Sequence, residues 1–304
     1  MNSDDPVPGV PSPPPRERGP VISLWGGGPW ADPARRAEAR EAAAEVEELG
    51  YARLWLSGGF DPGLHPVFGD LLDATRELGV ASGIVSVWAA TPQELAEGWA
   101  DLERRHPGRF LLGLGNSHAA IVEGGGGRYE KPYTRTVEHL DALGDAVPPQ
   151  RLVLAALGPR MLRLARERTR GAHPYFVPPA HTSFAREVLG GSSWLAPEVA
   201  VVLETDPGRA RAVAREHTRG YLALPNYADN LRRLGYGDDD LRDGGSDRLV
   251  DELVCWGEPA TVAAGVARHV DAGADEVAVQ VLTADPGRFP RAEWAQLAAA
   301  LLPA

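Results

Sequence analysis

Short apolar runs alternate with amphipathic stretches along the chain from Val21 to Leu302. The apolar runs predict strands at Val21–Trp25, Tyr51–Leu56, Val80–Trp88, Arg109–Gly115, Arg151–Leu157, Ala172–Val177, Val199–Glu204 and Glu276–Leu282. Between them, stretches with helical spacing open on strong start signals. Asp32-Pro33, Thr91-Pro92 followed by Glu94, and Asp206-Pro207 each set an N-cap before a proline at the first helical position. Gly50, Gly79 and Gly108 close three helices. Further helices are expected at His65–Leu78, Thr134–Ala146, from Gly158-Pro159 onward, at His181–Leu189, Thr261–Ala272 and Arg291–Leu302. After the seventh strand, helix extends to about Leu241 with breaks near Pro225 and Gly235, and Asp247–Trp256 adds another helical piece.

Eight strands alternating with helices predict an α/β fold, a (β/α)8 TIM barrel with an inserted helical region after strand seven. An open doubly wound sheet is the runner-up, but Gly26, Gly27 and Gly28 lack the spacing of a dinucleotide fingerprint and run into Pro29. Seven prolines between Met1 and Pro20 predict a disordered N-terminal tail over residues 1–20, ahead of a single barrel domain over 21–304.

Composition narrows the function classes. A hydrophobic fraction of 43% supports a sizeable core, and a net charge of -11 argues against nucleic acid and anionic membrane partners. Cys255 is the one cysteine, set between Val254 and Trp256, and reads as core. No apolar run approaches the ~20 residues of a membrane span, and the proline-rich start lacks a signal-peptide apolar region, so a cytoplasmic location is expected.

In a barrel the site is built from the carboxyl ends of the strands. Those ends carry Trp25, Ser57, Gly58, Ser86, Val87, Trp88, Asn116, Ser117, His118, Leu157, His173, Tyr175 and Gln280. This set lacks the clustered carboxylates and histidines that a metal needs, so no metal is expected, and it lacks a Gly-x-Ser-x-Gly elbow. Glycines, aromatic rings and neutral donors suit a flat cofactor; they serve equally in turns and core. Leu157-Gly158-Pro159-Arg160 sets a strand end against a helix start, which is either an anion site or an ordinary helix opening. Arg160, Arg163 and Arg166 share a face that is either a seat for an acidic tail or a solvated surface.

Taken in order, Leu49-Gly50-Tyr51 with Leu54-Trp55-Leu56, Ser82-Gly83-Ile84, Gly108 to Gly115, Leu154 to Pro159 and Gly273-Ala274-Asp275 resemble the luciferase-like monooxygenase superfamily. The likeness is to its branch of oxidoreductases dependent on the deazaflavin coenzyme F420. The resemblance implies a deazaflavin ring at the barrel mouth, held by Trp25, Ser57, Gly58, Ser86, Val87, Trp88, Gly115 and Asn116. It also implies a bulge with a non-proline cis bond mapping to Ser86-Val87, a cofactor phosphate at Leu157, Gly158, Pro159 and Arg160, and a homodimer. The expected activity is hydride transfer between F420 and a small organic substrate, with His118 as acid/base and His173 or Tyr175 assisting. An FMN-dependent monooxygenase and a non-catalytic binder of a flavin-like ligand are the alternatives. Sugar-phosphate dehydrogenases of the branch carry Asp-His after strand two and Glu after the strand-four glycines. Here Gly58-Gly59 and His118 stand there, so the resemblance does not carry their substrate over.

Overall fold

Eleven strands, all parallel, form one curled sheet in the computed structural model, which describes residues 21–58 and 66–303. The strands are β1 (Val21–Gly26), β2 (Arg53–Leu56), β3 (Gly79–Ser82), β4 (Val85–Ser86), β5 (Phe110–Gly115) and β6 (Leu152–Leu154), followed by β7 (Gly171–Ala172), β8 (Trp194–Leu195), β9 (Glu198–Val202), β10 (Val254–Trp256) and β11 (Glu276–Val281). The helices are α1 (Arg36–Glu48), α2 (Val67–Ala74), α3 (Pro92–Arg105), α4 (Ala119–Gly124), α5 (Pro132–Leu143) and α6 (Pro159–Arg168). They continue as α7 (Pro179–Leu189), α8 (Pro207–Leu222), α9 (Pro225–Arg233), α10 (Asp238–Leu241), α11 (Asp247–Leu253), α12 (Pro259–Asp271) and α13 (Arg291–Leu301). The predicted tail, Gly59 and the helix start at His65 lie outside the described residues.

The ring closes where the chain steps from β8 through Ala196-Pro197 into β9. β8 pairs with β7, β9 pairs with β11, and β11 pairs with β1. This is the α/β barrel expected, with helices outside and strand carboxyl ends at one mouth. β10 lies on the other edge of β9, with Val254 opposite Ala200.

The start signals hold where they can be checked. Thr91 and Glu94 form a reciprocal capping box on α3, and Asp206 accepts from the Arg209 amide at the head of α8. At the opposite, amino-terminal face, Arg109 donates to the carbonyls of Leu72, Thr75 and Leu78, satisfying the end of α2 and the entry to β3. The buried Glu276 carboxylate takes hydrogen bonds from Ser23 Oγ at 2.7 Å and Trp55 Nε1 at 2.6 Å.

Several expected boundaries change. The third strand is not continuous from Val80 to Trp88 but breaks at Gly83-Ile84 into β3 and β4. The sixth strand shrinks to Gly171–Ala172, and of the residues beyond it His173 turns into the barrel while Tyr175 reaches the mouth. Asp247–Trp256 is helix only to Leu253, then strand β10. Trp194–Leu195 is a strand with no counterpart among the predicted ones.

Candidate functional site

The mouth is organised by the break between β3 and β4. The cis peptide bond lies at Gly83-Ile84, not at Ser86-Val87. At the break the Gly83 amide donates to the Leu56 carbonyl at 2.6 Å and the Gly58 amide to the Ile84 carbonyl at 3.1 Å. Two glycines of β5 make room for it. A Cβ on Gly113 would collide with the Ser82 carbonyl, and one on Gly115 would lie 2.7 Å from Ile84 Cδ1. Ile84 is thereby turned over β5, where it lines a cavity of about 220 Å³. Asn116, Ser117, His118, Ala155, Leu157 and Tyr175 face the same space.

Ser86 and Val87 are buried instead, Ser86 Oγ accepting from the Trp88 amide and Val87 packing in the core. Trp88 packs on Tyr129 at 5.4 Å and under the Arg135 guanidinium. These three residues sit one step beyond the bulge, so Ile84 takes the place at the cavity wall that the sequence assigned to them. Gly58 supports the bulge from behind through its backbone. Trp25 borders a second, larger cavity and contacts Tyr175 at a ring distance of 5.2 Å.

His118 is half-buried at the head of α4. Its Nδ1 donates to Asn226 Oδ1 at 2.8 Å, which leaves the Nε2 lone pair as the proton acceptor. Burial holds its pKa below the usual imidazole range, opposed by the hydrogen bond to Asn226, so the ring is a neutral base at pH 7. Tyr175 donates to Gln280 Oε1 at 2.8 Å and shares a hydrogen bond with the Tyr221 hydroxyl at 2.9 Å. Burial, first, and the nearby Glu198 push its pKa well above the usual phenol value, so it holds a proton rather than taking one.

His173 is separated from these two. It is 1% exposed, its ring stacks on Trp55 at 4.0 Å, and Nδ1 donates to the Ala196 carbonyl at 2.6 Å. Burial lowers its pKa to about 4. It borders neither cavity, and the place at the mouth read for it from the sequence is corrected to one inside the barrel.

The Leu157–Arg160 segment is built as the sequence suggests, a strand end running into α6 through Gly158 and Pro159. Buried His181 donates from Nε2 to the Leu157 carbonyl at 2.9 Å and fixes the turn. The Arg160 guanidinium lies over the Tyr133 ring at 3.7 Å from its centre. Of that face, Arg166 donates to the Val188 carbonyl, and Arg168 beyond it pairs with Asp141.

The residues that sequence reading missed come from α9. This helix sends Asn226 to His118, Tyr227 to within 5.3 Å of the His118 ring, and Arg233 toward the start of α6. Arg233 donates to Asn230 Oδ1 at 2.8 Å, and its Nη2 is 3.8 Å from where a Gly158 Cβ would be. A second cation therefore stands at the helix N-terminus. Positions 226, 227, 230 and 233 lie on neighbouring turns of one helix side, but that spacing does not say what they face across the mouth. Buried polar atoms here that lack a protein partner include Ser117 Oγ, His181 Nδ1 and Asn230 Nδ2.

Fold and mouth thus define an α/β barrel with an apolar shelf, neutral hydrogen-bonding groups and an anion-favouring helix start. The resemblance read from the sequence is borne out: the family model for luciferase-like monooxygenases matches residues 20–148. A putative coenzyme F420-dependent oxidoreductase of Mycobacterium tuberculosis is 25% identical over 204 residues, which cover 67% of this chain and 54% of that protein. The match therefore spans about half the length of that relative. Among solved structures, the coenzyme F420-dependent tetrahydromethanopterin reductase of Methanopyrus kandleri superposes with a TM-score of 0.72 at 14% identity, covering 93% of this chain and 99% of that one. An F420-dependent secondary alcohol dehydrogenase in complex with an F420-acetone adduct gives 0.69 at 15% identity with the same coverage. The FMN-complexed oxygenating constituent of 3,6-diketocamphane monooxygenase from Pseudomonas putida gives 0.64 at 17%, covering 92% and 96%. At these identities the likeness establishes the fold.

Proposed function

We propose that the protein is an oxidoreductase that moves a hydride between the deazaflavin coenzyme F420 and a small organic substrate. The observation that carries the reading is the coincidence, in one mouth, of the Ile84 shelf, the neutral base His118 and the doubly cationic start of α6. The donor set fits such a coenzyme. Ile84, Ala155 and Leu157 give an apolar floor for a ring, the unpartnered Ser117 Oγ gives a polar edge, and the helix N-terminus with Arg160 and Arg233 suits a phosphate. A cavity of about 220 Å³ is smaller than the ~300–1,000 Å³ of whole-ligand pockets, so it would hold the ring alone, and Gly158, Arg160 and Arg233 would hold the phosphate outside it.

Bound there, a deazaflavin supplies hydride donation and acceptance. The chain supplies proton management. His118 Nε2 takes the proton of a hydroxyl undergoing oxidation, while Asn226 keeps the ring in the required tautomer. Tyr175 holds its proton and orients Gln280.

An FMN-dependent monooxygenase is the second reading, favoured by the FMN-bound neighbour and by the same anion site, which accepts an FMN phosphate equally well. Titration of the purified protein with F420 and with FMN, followed by fluorescence quenching, separates them.

A further inference from the structure

We propose that the larger cavity, about 580 Å³ between the ends of β1 and β11 and the flank of α8, binds an uncharged, largely apolar molecule carrying one hydroxyl or carbonyl group. The cavity itself stands apart from the coenzyme reading. That reading is needed only for the further statement that the bound molecule is the substrate.

Its volume lies within the ~300–1,000 Å³ of small-molecule pockets, and its walls are aromatic and aliphatic, with Trp25, Trp30, Trp294, Val213 and Leu282. Charged groups are few and already answered. Arg288 is held by both oxygens of Glu293, and Glu216 stands exposed beside Arg219. No unpaired cation remains among the described lining residues for a phosphate or carboxylate, and an anion there would be desolvated without compensation.

Neutral polar groups remain on the lining, His217 and Gln280 among them. His217 Nε2 is buried with no partner, and burial brings the ring's pKa down to about 4, so the imidazole stays neutral. Gln280 spends its oxygen on Tyr175, which leaves its amide nitrogen to donate. Depending on tautomer, a neutral imidazole accepts from a hydroxyl or donates to a carbonyl. One such group on an otherwise apolar body satisfies both.

The wall toward the smaller cavity is one layer of side chains. Trp25 and Gln280 face the larger space and Tyr175 the smaller, with the Tyr175 hydroxyl 2.8 Å from Gln280 Oε1. A molecule in the larger cavity therefore lies next to the ring site.

The test uses 2-naphthol and 2-naphthoate as probes with the full-length protein free of coenzyme, read by calorimetry and tryptophan quenching. The expected result is saturable 2-naphthol binding, at least tenfold weaker 2-naphthoate binding, and loss of 2-naphthol binding in Val213→Trp, whose added ring fills the cavity. His217→Phe keeps the aromatic packing and is expected to weaken 2-naphthol at least fivefold. Equal or tighter binding of 2-naphthoate, absence of 2-naphthol binding up to its solubility, or binding undiminished in both variants overturns the proposal. Coenzyme titration of the same samples separates the two readings. Naphthol binding without coenzyme binding removes the coenzyme assignment alone, and the converse removes only this cavity's.

Discussion

The Tyr175 hydroxyl meets Gln280 Oε1 at 2.8 Å and so joins the loop after β7 to the end of β11 across the barrel mouth. The pair divides the mouth into the cavity beside His118 and the one beside His217. Tyr175 stays protonated far into the alkaline range, because its burial disfavours the phenolate.

That difference between Tyr175 and His118 fixes a pH profile. The His118 pKa lies below the usual imidazole value, so its base form is retained down to mildly acidic pH. The oxidation rate should fall only below about pH 6.5, the ordinary histidine value, and show no tyrosine limb up to pH 10. Replacing Asn226 with Ala removes a contact that favours the charged ring, so the acid limb moves to lower pH. His118→Phe should lower kcat by about 10²–10⁴-fold, the usual range for loss of a general base. A pH profile unchanged by both substitutions would remove His118 from proton transfer.

Much of this frame was legible in the chain. Alternating apolar runs and Asp-Pro or Thr-Pro starts yield the barrel, because parallel strands buried on both faces and capped helices leave strong local signatures. Gly113 and Gly115 stood out within the family-like motif, but nothing in the sequence said that they make room for Ile84 and the Ser82 carbonyl. Tertiary relationships were not legible. Nothing local distinguishes Gly83-Ile84 from Ser86-Val87 as the break, since both lie in one β-branched apolar run. His173 looked like a mouth residue because it ends a strand, but that strand stops at Ala172 and the ring folds inward onto Trp55. Val254–Trp256 continued the helical spacing of Leu249, Val250 and Leu253, and only pairing with β9 makes it a strand. Arg233 reaches Gly158 from 75 positions away, a proximity that periodicity cannot report.

The bulge predicts its own sensitivity. Gly113→Ala places a methyl group on the Ser82 carbonyl, a backbone atom that cannot yield without shifting β3. A loss of about 3 kcal/mol is expected, and with it a melting temperature about 5 °C lower. Calorimetry reads this directly; a wild-type melting temperature would contradict the packing described.

At the start of α6, Arg233→Ala removes one cation facing Gly158. Binding of a phosphate-bearing coenzyme should weaken about 10–100-fold, in line with the ~1.5–3 kcal/mol of a charge-assisted hydrogen bond. The deficit should shrink as salt is raised, since screening reduces the wild-type advantage. An affinity equal to wild type at low salt would place the anion elsewhere.

Beneath the tyrosines, Glu198 is buried with one oxygen accepting from the Phe176 amide and the other without a partner, and burial raises its pKa to about 8. An unfolded glutamate titrates near ~4.3. The contribution of the neutral carboxyl is fully present below that value and is lost as pH rises to about 8, because the unfolded chain releases its proton first. Stability should therefore decline by on the order of 5 kcal/mol between pH 4.5 and 8 from this group, and Glu198→Gln should abolish that part of the slope. Urea denaturation across the pH range measures it; identical slopes in the two proteins would refute the assignment.

The central claim, a deazaflavin seated on Ile84 with its phosphate at α6, is tested most directly by equilibrium titration with F420 and FMN in parallel. Saturable quenching of F420 fluorescence at micromolar coenzyme, at least tenfold tighter than FMN and weakened by Arg233→Ala, is the predicted result. Saturable binding of FMN with none of F420 would contradict it in favour of the monooxygenase reading, and binding of neither would contradict both.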